Sequence, residues 1–123
     1  MAQTRQKKNV IRVFEGFAGY GGASFGLKRA KRALTNFDYT VVGYSEFDKY
    51  ASKLFDANHR DAKGNPIKNW GDITQIDPNE LPDFDLFTGG FPCQPFSSAG
   101  MQMGTEDPYG RGAMLGHIIR ICR

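Results

Sequence analysis

The feature that most limits the fold is a β-branched run that breaks into glycines and then into a charged, amphipathic stretch. Val10-Ile11-Arg12-Val13-Phe14-Glu15-Gly16-Phe17 has strand composition, and Ala18-Gly19-Tyr20-Gly21-Gly22 then turns the chain sharply. Over residues 23–34, Phe25, Leu27, Ala30 and Leu34 recur near helical spacing against Lys28, Arg29, Lys31 and Arg32, which predicts an amphipathic helix. The pattern repeats. Residues 39–45 (Tyr-Thr-Val-Val-Gly-Tyr-Ser) read as a strand, and residues 48–58 as a helix with Tyr50, Ala51, Leu54 and Phe55 as its buried stripe. A loop holding Gly64, Asn65 and Pro66 surrounds a short strand near residues 67–70. Pro78 and Pro82 punctuate the next connection, and residues 85–88 are expected as a short buried strand ending at Gly89-Gly90. Residues 90–110 are rich in Gly, Pro and Ser without periodicity, as functional or disordered loops are. Met114, Leu115, Ile118, Ile119 and Cys122 then mark an apolar-faced helix. Alternating strands and helices predict an α/β fold: a parallel sheet with helices on both faces, joined by right-handed crossovers.

The 123 residues fit one domain, read as a basic flexible tail over 1–9 and a single folded unit over 10–123. No stretch approaches the eighteen or so apolar residues of a membrane span, and residues 1–9 lack the apolar run of a signal peptide, so a cytoplasmic protein without membrane partners is expected. The net charge of +3 tolerates a polyanionic partner without demanding one. Arg5, Lys7, Lys8 and Arg12, and Lys28, Arg29, Lys31 and Arg32, read as a solvated tail and a solvated helix face. The two cysteines, Cys93 and Cys122, come without a secretory signal and make a poor disulfide framework. His59 and His117 stand alone, so no metal site is expected. The last helix carries no cap or glycine terminator, and the natural domain is expected to continue past residue 123.

Four constellations could carry chemistry. Phe17-Ala18-Gly19-Tyr20-Gly21-Gly22 sits at a strand-to-helix turn, where glycines allow a close approach of ligand to backbone and a helix N-terminus suits an anionic group. It is neither a dinucleotide fingerprint, since Ser24 stands where the third glycine would be, nor a P-loop, since no Gly-Lys-Ser/Thr follows. A purely structural turn is the other reading. Glu46, at the end of the second strand, has the position from which a carboxylate accepts ribose hydroxyls, with Phe47 beside it for stacking; alone it reads equally as a helix N-terminal charge. Asp72 in Gly71-Asp72-Ile73-Thr74 could accept from an exocyclic amine while a neighbouring backbone N–H reads a ring nitrogen, or could simply be a turn aspartate. Finally, Cys93 in Gly89-Gly90-Phe91-Pro92-Cys93-Gln94-Pro95-Phe96-Ser97-Ser98 follows a strand's carboxyl end, where open α/β sheets place ligands, and two prolines stiffen it. That suits a presented nucleophile better than an inert core thiol. No His or Lys flanks it, so activation must come from elsewhere.

In this order the four elements resemble the cytosine-C5 DNA methyltransferases. The glycine turn is similar to that family's S-adenosylmethionine loop, Glu46-Phe47-Asp48-Lys49-Tyr50-Ala51 to its ribose-and-adenine motif, and Gly71-Asp72-Ile73-Thr74 to its adenine-amine motif. Pro92-Cys93-Gln94 resembles its Pro-Cys nucleophile motif, and Arg111-Gly112 with Ile118, Arg120 and Ile121 the motif after it. The likeness covers residues 10–123 and implies the first part of a Rossmann-like methyltransferase domain, truncated before its second half. It implies S-adenosylmethionine as cofactor, held by Phe17, Ala18, Gly19, Tyr20, Gly21, Gly22, Glu46, Phe47, Asp72, Ile73 and Pro92. It implies double-stranded DNA as substrate, contacted by Gln94, Ser97, Ser98 and Arg111, and Cys93 as catalytic nucleophile toward C6 of a flipped cytosine. Residues 96–110 would be the mobile catalytic loop.

The sequence also departs from the family. Gly16 stands where the family usually has a bulky apolar residue, which predicts a looser strand end, and Gly116-His117 replaces the usual aromatic and acidic pair. The family's Glu-Asn and Arg motifs, its target-recognition region and its last cofactor motif find no match within the chain. A complementing C-terminal half or subunit is therefore expected, with negligible activity in its absence. The same nucleophile motif serves a tRNA-modifying branch of the family, and a non-catalytic cofactor-binding fragment is the third reading.

Overall fold

The computed structural model describes residues 10–89 and 114–122. The expected basic tail and the Cys93 loop lie outside the described residues. Three parallel strands, β1 (Val10–Gly16), β2 (Asp38–Ser45) and β3 (Leu86–Thr88), form a sheet in the order β2-β1-β3. Helix α1 (Gly22–Ala33) connects β1 to β2, α2 (Lys49–Asn58) follows β2, and α3 (Met114–Cys122) follows β3. Two 3-10 turns, Ile73–Gln75 and Pro78–Glu80, lie between α2 and β3. This is the parallel α/β arrangement that the alternating sequence pattern predicts, and it is consistent with the partial Rossmann-like unit that the family resemblance implies.

Side-chain alternation along β1 divides the core between the sheet's two faces. Phe14 points to one face, among Ile73, Ile76 and Ile121, with Phe84, Phe87 and Ile118 packed around them. Glu15 points to the other, where the neighbouring Tyr44 of β2 stacks on Phe55 of α2 at a centroid distance of 3.7 Å. Helices therefore cover both faces, α1 and α2 on one and α3 on the other. Burying a ring such as Phe14, fully enclosed here, stabilises the fold by roughly 1.5–3 kcal/mol.

Local chemistry explains the helix ends. Asp48 caps α2 by accepting the Tyr50 N–H at 2.9 Å. The residue before α1 is Gly21 in a left-handed conformation (φ 92°), which offers no side-chain cap. Lys31 and Arg32 in the last turn of α1 suit the negative end of its dipole.

Several sequence expectations need correction. In α2 only Phe55 of the expected stripe is buried, packed with Tyr44, Ala18 and Ile67, while Tyr50 and Leu54 are exposed. In α1, Phe25 and Leu34 are exposed and the buried residue is Ser24. In α3 two apolar stripes compete, and Ile118 and Ile121 face the core in place of Leu115, Ile119 and Cys122. Arg120 ties this face down by donating to the Ile76 and Ile73 carbonyls at 2.7 and 3.3 Å. The expected strand near residues 67–70 is reduced to a single parallel bridge between Tyr44 and Asn69. Strand β3 is only partly buried.

Several of the basic residues are bonded at the surface. Arg12 forms a bidentate pair with Asp85 (3.1 and 2.8 Å), Lys31 pairs with Asp38 (2.9 Å), and Lys28 donates to the Asn58 carbonyl (2.7 Å). Nor is the strand loose at Gly16. Gly16 is buried, and a Cβ there would collide with the Phe87 ring, so a side chain from β3 fills the space beside it.

Candidate active site

The carboxyl ends of β1, β2 and β3 meet at one edge of the sheet, and the glycine turn lies across that edge. The Ala18 N–H donates to the Ser45 carbonyl (3.0 Å), pinning the turn to the end of β2, and the Gly21 N–H closes it onto the Ala18 carbonyl (2.8 Å). Phe17 has φ 50°, Gly19 56° and Gly21 92°. A non-glycine residue in this region carries backbone strain of about 1–3 kcal/mol, and such strain concentrates at ligand sites.

Beneath the turn lies a residue that the sequence reading did not single out. Glu15 is 2% exposed, and its carboxylate accepts from Ser24 Oγ at 2.6 Å and from the Ala23 N–H at 3.2 Å. It performs from the strand the capping that Gly21 cannot. Burial pushes its carboxyl above the ordinary value, with the hydrogen bonds from Ser24 and Ala23 working the other way. The signal was present: a lone acid among Val13, Phe14 and Gly16, just before the turn.

His59 closes the turn from the α2 side. It is 1% exposed, wedged between Phe25 (4.4 Å) and Phe55 (4.8 Å), and its Nε2–H donates to the Tyr20 carbonyl at 3.1 Å. Burial and then nearby Lys28 lower its pKa, so the ring stays neutral. Gly21 has no room for a side chain, because a Cβ there would collide with this imidazole.

Glu46 stands directly after β2 and reaches back over the turn. Its Oε1 accepts from the Gly19 N–H at 2.8 Å and its Oε2 from the Asp48 N–H at 2.9 Å, at the N-terminus of α2. Each oxygen keeps a further lone pair for a ligand hydroxyl. Glu46 is thus both a helix N-terminal charge and a group held against the glycine turn. Phe47, 80% exposed, and Tyr20, 59% exposed, present aromatic surface near it. Gly71 (φ 74°) turns the chain into Asp72, whose Oδ1 accepts from the Thr74 N–H (2.9 Å) and hydroxyl (2.8 Å). Asp72 is therefore a turn cap. Ile73 is 4% exposed with its side chain in the core, so only its backbone can face a ligand.

A cleft of about 410 Å³ opens beside the turn, lined by Phe17, Ala18, Gly19, Tyr20 and Gly22 together with Glu15, Thr88 and Gly89. Its size is within the range of nucleotide-sized ligand pockets. It thus brings together five of the six turn residues picked out in the sequence; the sixth, Gly21, is buried under His59. Pro92, Cys93, Gln94, Ser97, Ser98 and Arg111 lie outside the described residues. Among the described residues, no group of three or more His, Cys, Asp or Glu could hold a metal ion, and no helix is long and apolar enough to cross a membrane.

A glycine turn at the carboxyl edge of a parallel sheet, with a carboxylate at the next strand end, is the place where open α/β folds put their ligands. Comparison with known proteins narrows the choice. The family model of the C-5 cytosine-specific DNA methylases matches residues 11–123, and the chain belongs to that family. It is 39% identical over 107 residues to the type II methyltransferase M.NgoBI of Neisseria gonorrhoeae, covering 87% of this chain and 29% of that enzyme. It is 38% identical over 118 residues to the type II methyltransferase M1.ScrFI of Lactococcus lactis subsp. cremoris (96% and 27%). It is 41% identical over 100 residues to the orphan methyltransferase M.Rho11sI of Bacillus phage rho11s (81% and 18%). The chain thus spans less than a third of the length of these relatives.

Proposed function

We propose that this chain is the cofactor-binding and nucleophile-bearing part of a cytoplasmic DNA (cytosine-5)-methyltransferase. The observation that carries the reading is Glu46, whose carboxylate is fixed between the Gly19 amide and the start of α2, next to an exposed Phe47 and to the glycine turn that lines the cleft. S-Adenosylmethionine, when bound, supplies an electrophilic methyl group. Glu46 accepts its ribose hydroxyls and Phe47 stacks on its adenine. Asp72, through the oxygen that does not cap its own turn, receives the exocyclic amine, while the Ile73 backbone N–H reads a ring nitrogen. The glycine turn over residues 17–22 faces its amino-acid end, with Pro92 completing the wall.

The nucleophile follows from the same placement. Cys93 comes four residues after Gly89, a contour of at most about 14 Å from the cleft wall. Its thiolate adds to C6 of a cytosine turned out of the duplex, which makes C5 nucleophilic toward the methyl group. An unperturbed thiol is only a few per cent ionised near neutral pH, so activation draws on groups outside this chain. Gln94, Ser97 and Ser98 close over the DNA and Arg111 contacts a phosphate. The remaining two thirds or more of a relative-sized enzyme, as a continuation or a separate subunit, supplies the rest of the site.

The test is transfer of labelled methyl to duplex DNA, with tRNA as the competing acceptor. The chain alone is expected to give no transfer above background, and the chain plus a complementing half to give transfer that Cys93→Ser abolishes. Transfer by the Cys93→Ser protein would remove Cys93 from the nucleophile role, and a strong preference for tRNA would overturn the choice of substrate.

A further inference from the structure

The side chain of Asn69 makes every hydrogen bond that an amide can make, and it makes them between the two segments assigned to the nucleoside end of the cofactor. Its Oδ1 accepts from the Glu46 N–H (3.1 Å) and the Gly71 N–H (2.8 Å). Its Nδ2 donates to the Glu46 carbonyl (2.8 Å) and to Ser52 Oγ (3.0 Å). An asparagine amide has two acceptor and two donor positions, and all four are used. The orientation is fixed by this pattern, since turning the amide over would set Oδ1 against a carbonyl and Nδ2 against two N–H donors.

The two clamped segments have no strand pairing to hold them in register beyond the Tyr44–Asn69 bridge. Glu46 leaves β2 and reaches over the glycine turn, and Gly71 (φ 74°) turns the chain into Asp72. Gly71 is held at both ends of its peptide frame, its N–H by Asn69 and its carbonyl by the Ser45 hydroxyl at 2.6 Å. The fourth bond anchors the amide in the body of the fold. Ser52 also bonds the Tyr44 hydroxyl (2.8 Å), which donates to Asp56 (2.9 Å) and belongs to a tyrosine with no exposure.

We infer that Asn69 is a positioning residue that sets the spacing between the ribose-binding carboxylate of Glu46 and the adenine-reading turn at Asp72. The inference rests on the cofactor reading above. Asn69 touches no part of the ligand in this account; it acts through the backbone of residues 46 and 71. Its loss lets Glu46 and Asp72 drift independently, so the nucleoside is no longer read as one unit.

The experiment uses the 123-residue chain and two probes, S-adenosylhomocysteine and its 2′-deoxyribose analogue, titrated calorimetrically. The wild-type chain is expected to prefer the ribose form by about tenfold, the effect of one well-placed charge-assisted hydrogen bond. Glu46→Ala should abolish that preference, and Asn69→Ala should cut it to about twofold. A merely structural role for Asn69 would weaken both probes alike and leave the ratio untouched; that result, with Glu46→Ala abolishing the preference, overturns this inference alone. If the wild type binds neither probe, or Glu46→Ala changes nothing, the cofactor reading falls and this inference with it. Should Asn69→Ala unfold, the isosteric Asn69→Asp keeps both acceptor contacts, loses both donors at neutral pH and is read by the same ratio.

Discussion

The two faces of the central strand are built on different principles. Toward α3, Phe14 meets Phe84 at 5.6 Å and Phe87 at 6.0 Å, with Ile73, Ile76 and Ile121 filling the remaining space. Toward α1 and α2, the buried set includes Glu15, Ser24, Tyr44 and His59. The first face asks only for volume and shape, and many apolar combinations satisfy it. The second asks for direction. Glu15 caps the helix that leaves the glycine turn, His59 holds the Tyr20 carbonyl, and Tyr44 with Ser52 anchors the amide that clamps Glu46. Buried polar groups cost stability unless paired, so a face that carries so many has been arranged for something other than packing. All three groups hold the glycine turn or Glu46, which reaches over it.

The largest effect should come from breaking the apolar face. Phe14→Ala removes a fully buried ring and is expected to destabilise by about 3–5 kcal/mol, comparable with the whole stability of a small domain. Its thermal melt should lose cooperativity to the same extent at every pH. A cooperative melt near the wild-type midpoint would show that this face is not the core.

The polar face should respond instead to pH. The folded Glu15 carboxyl titrates above its ordinary value of 4.5, so the native state binds the extra proton and unfolding releases it. Stability from this residue is therefore greatest below 4.5 and falls as pH rises through the raised value. Glu15→Gln removes that dependence and costs about 1 kcal/mol near neutral pH through the weakened helix cap. The urea midpoint of the wild type should gain on that of the variant as pH falls from neutral to 4.5. A constant difference across that range would mean that the carboxylate is not held in a desolvated site.

The smallest effect belongs to the far end of the sheet. Hydrogen bonds from Arg12 hold the exposed Asp85 carboxyl down to about 2, against an ordinary 3.8. Its contribution is present above 3.8 and disappears as pH falls through about 2. Asp85→Asn should flatten only the acid limb of the stability curve and leave the neutral range close to wild type, as expected for a solvent-screened pair.

The sequence made the α/β order, all three strands and the glycine turn legible, because period and turn chemistry are local signals. Which stripe of a helix faces the core was less so. In α3, Ile118 and Ile121 face the core, and Arg120 reaches the carbonyls of Ile73 and Ile76, more than forty residues earlier, a contact that the helix's own apolar pattern does not announce. Gly16 misled for a related reason: the ring that fills its space arrives from Phe87 on another strand. Of the site, Glu46 and the turn were readable from position and residue type. Glu15 was marked as a lone acid just before the turn, whereas His59 and Asn69 were not legible, because each acts across the fold on a backbone group that carries no mark in the sequence.

The central claim is that the polar face exists to hold a carboxylate over a nucleoside cleft. Calorimetric titration of S-adenosylmethionine into the wild-type chain and into Glu46→Ala tests it most directly. The account expects saturable binding by the wild type and at least about a tenfold loss in the variant, with the two unliganded proteins melting alike. Equal affinity in the two proteins would contradict it.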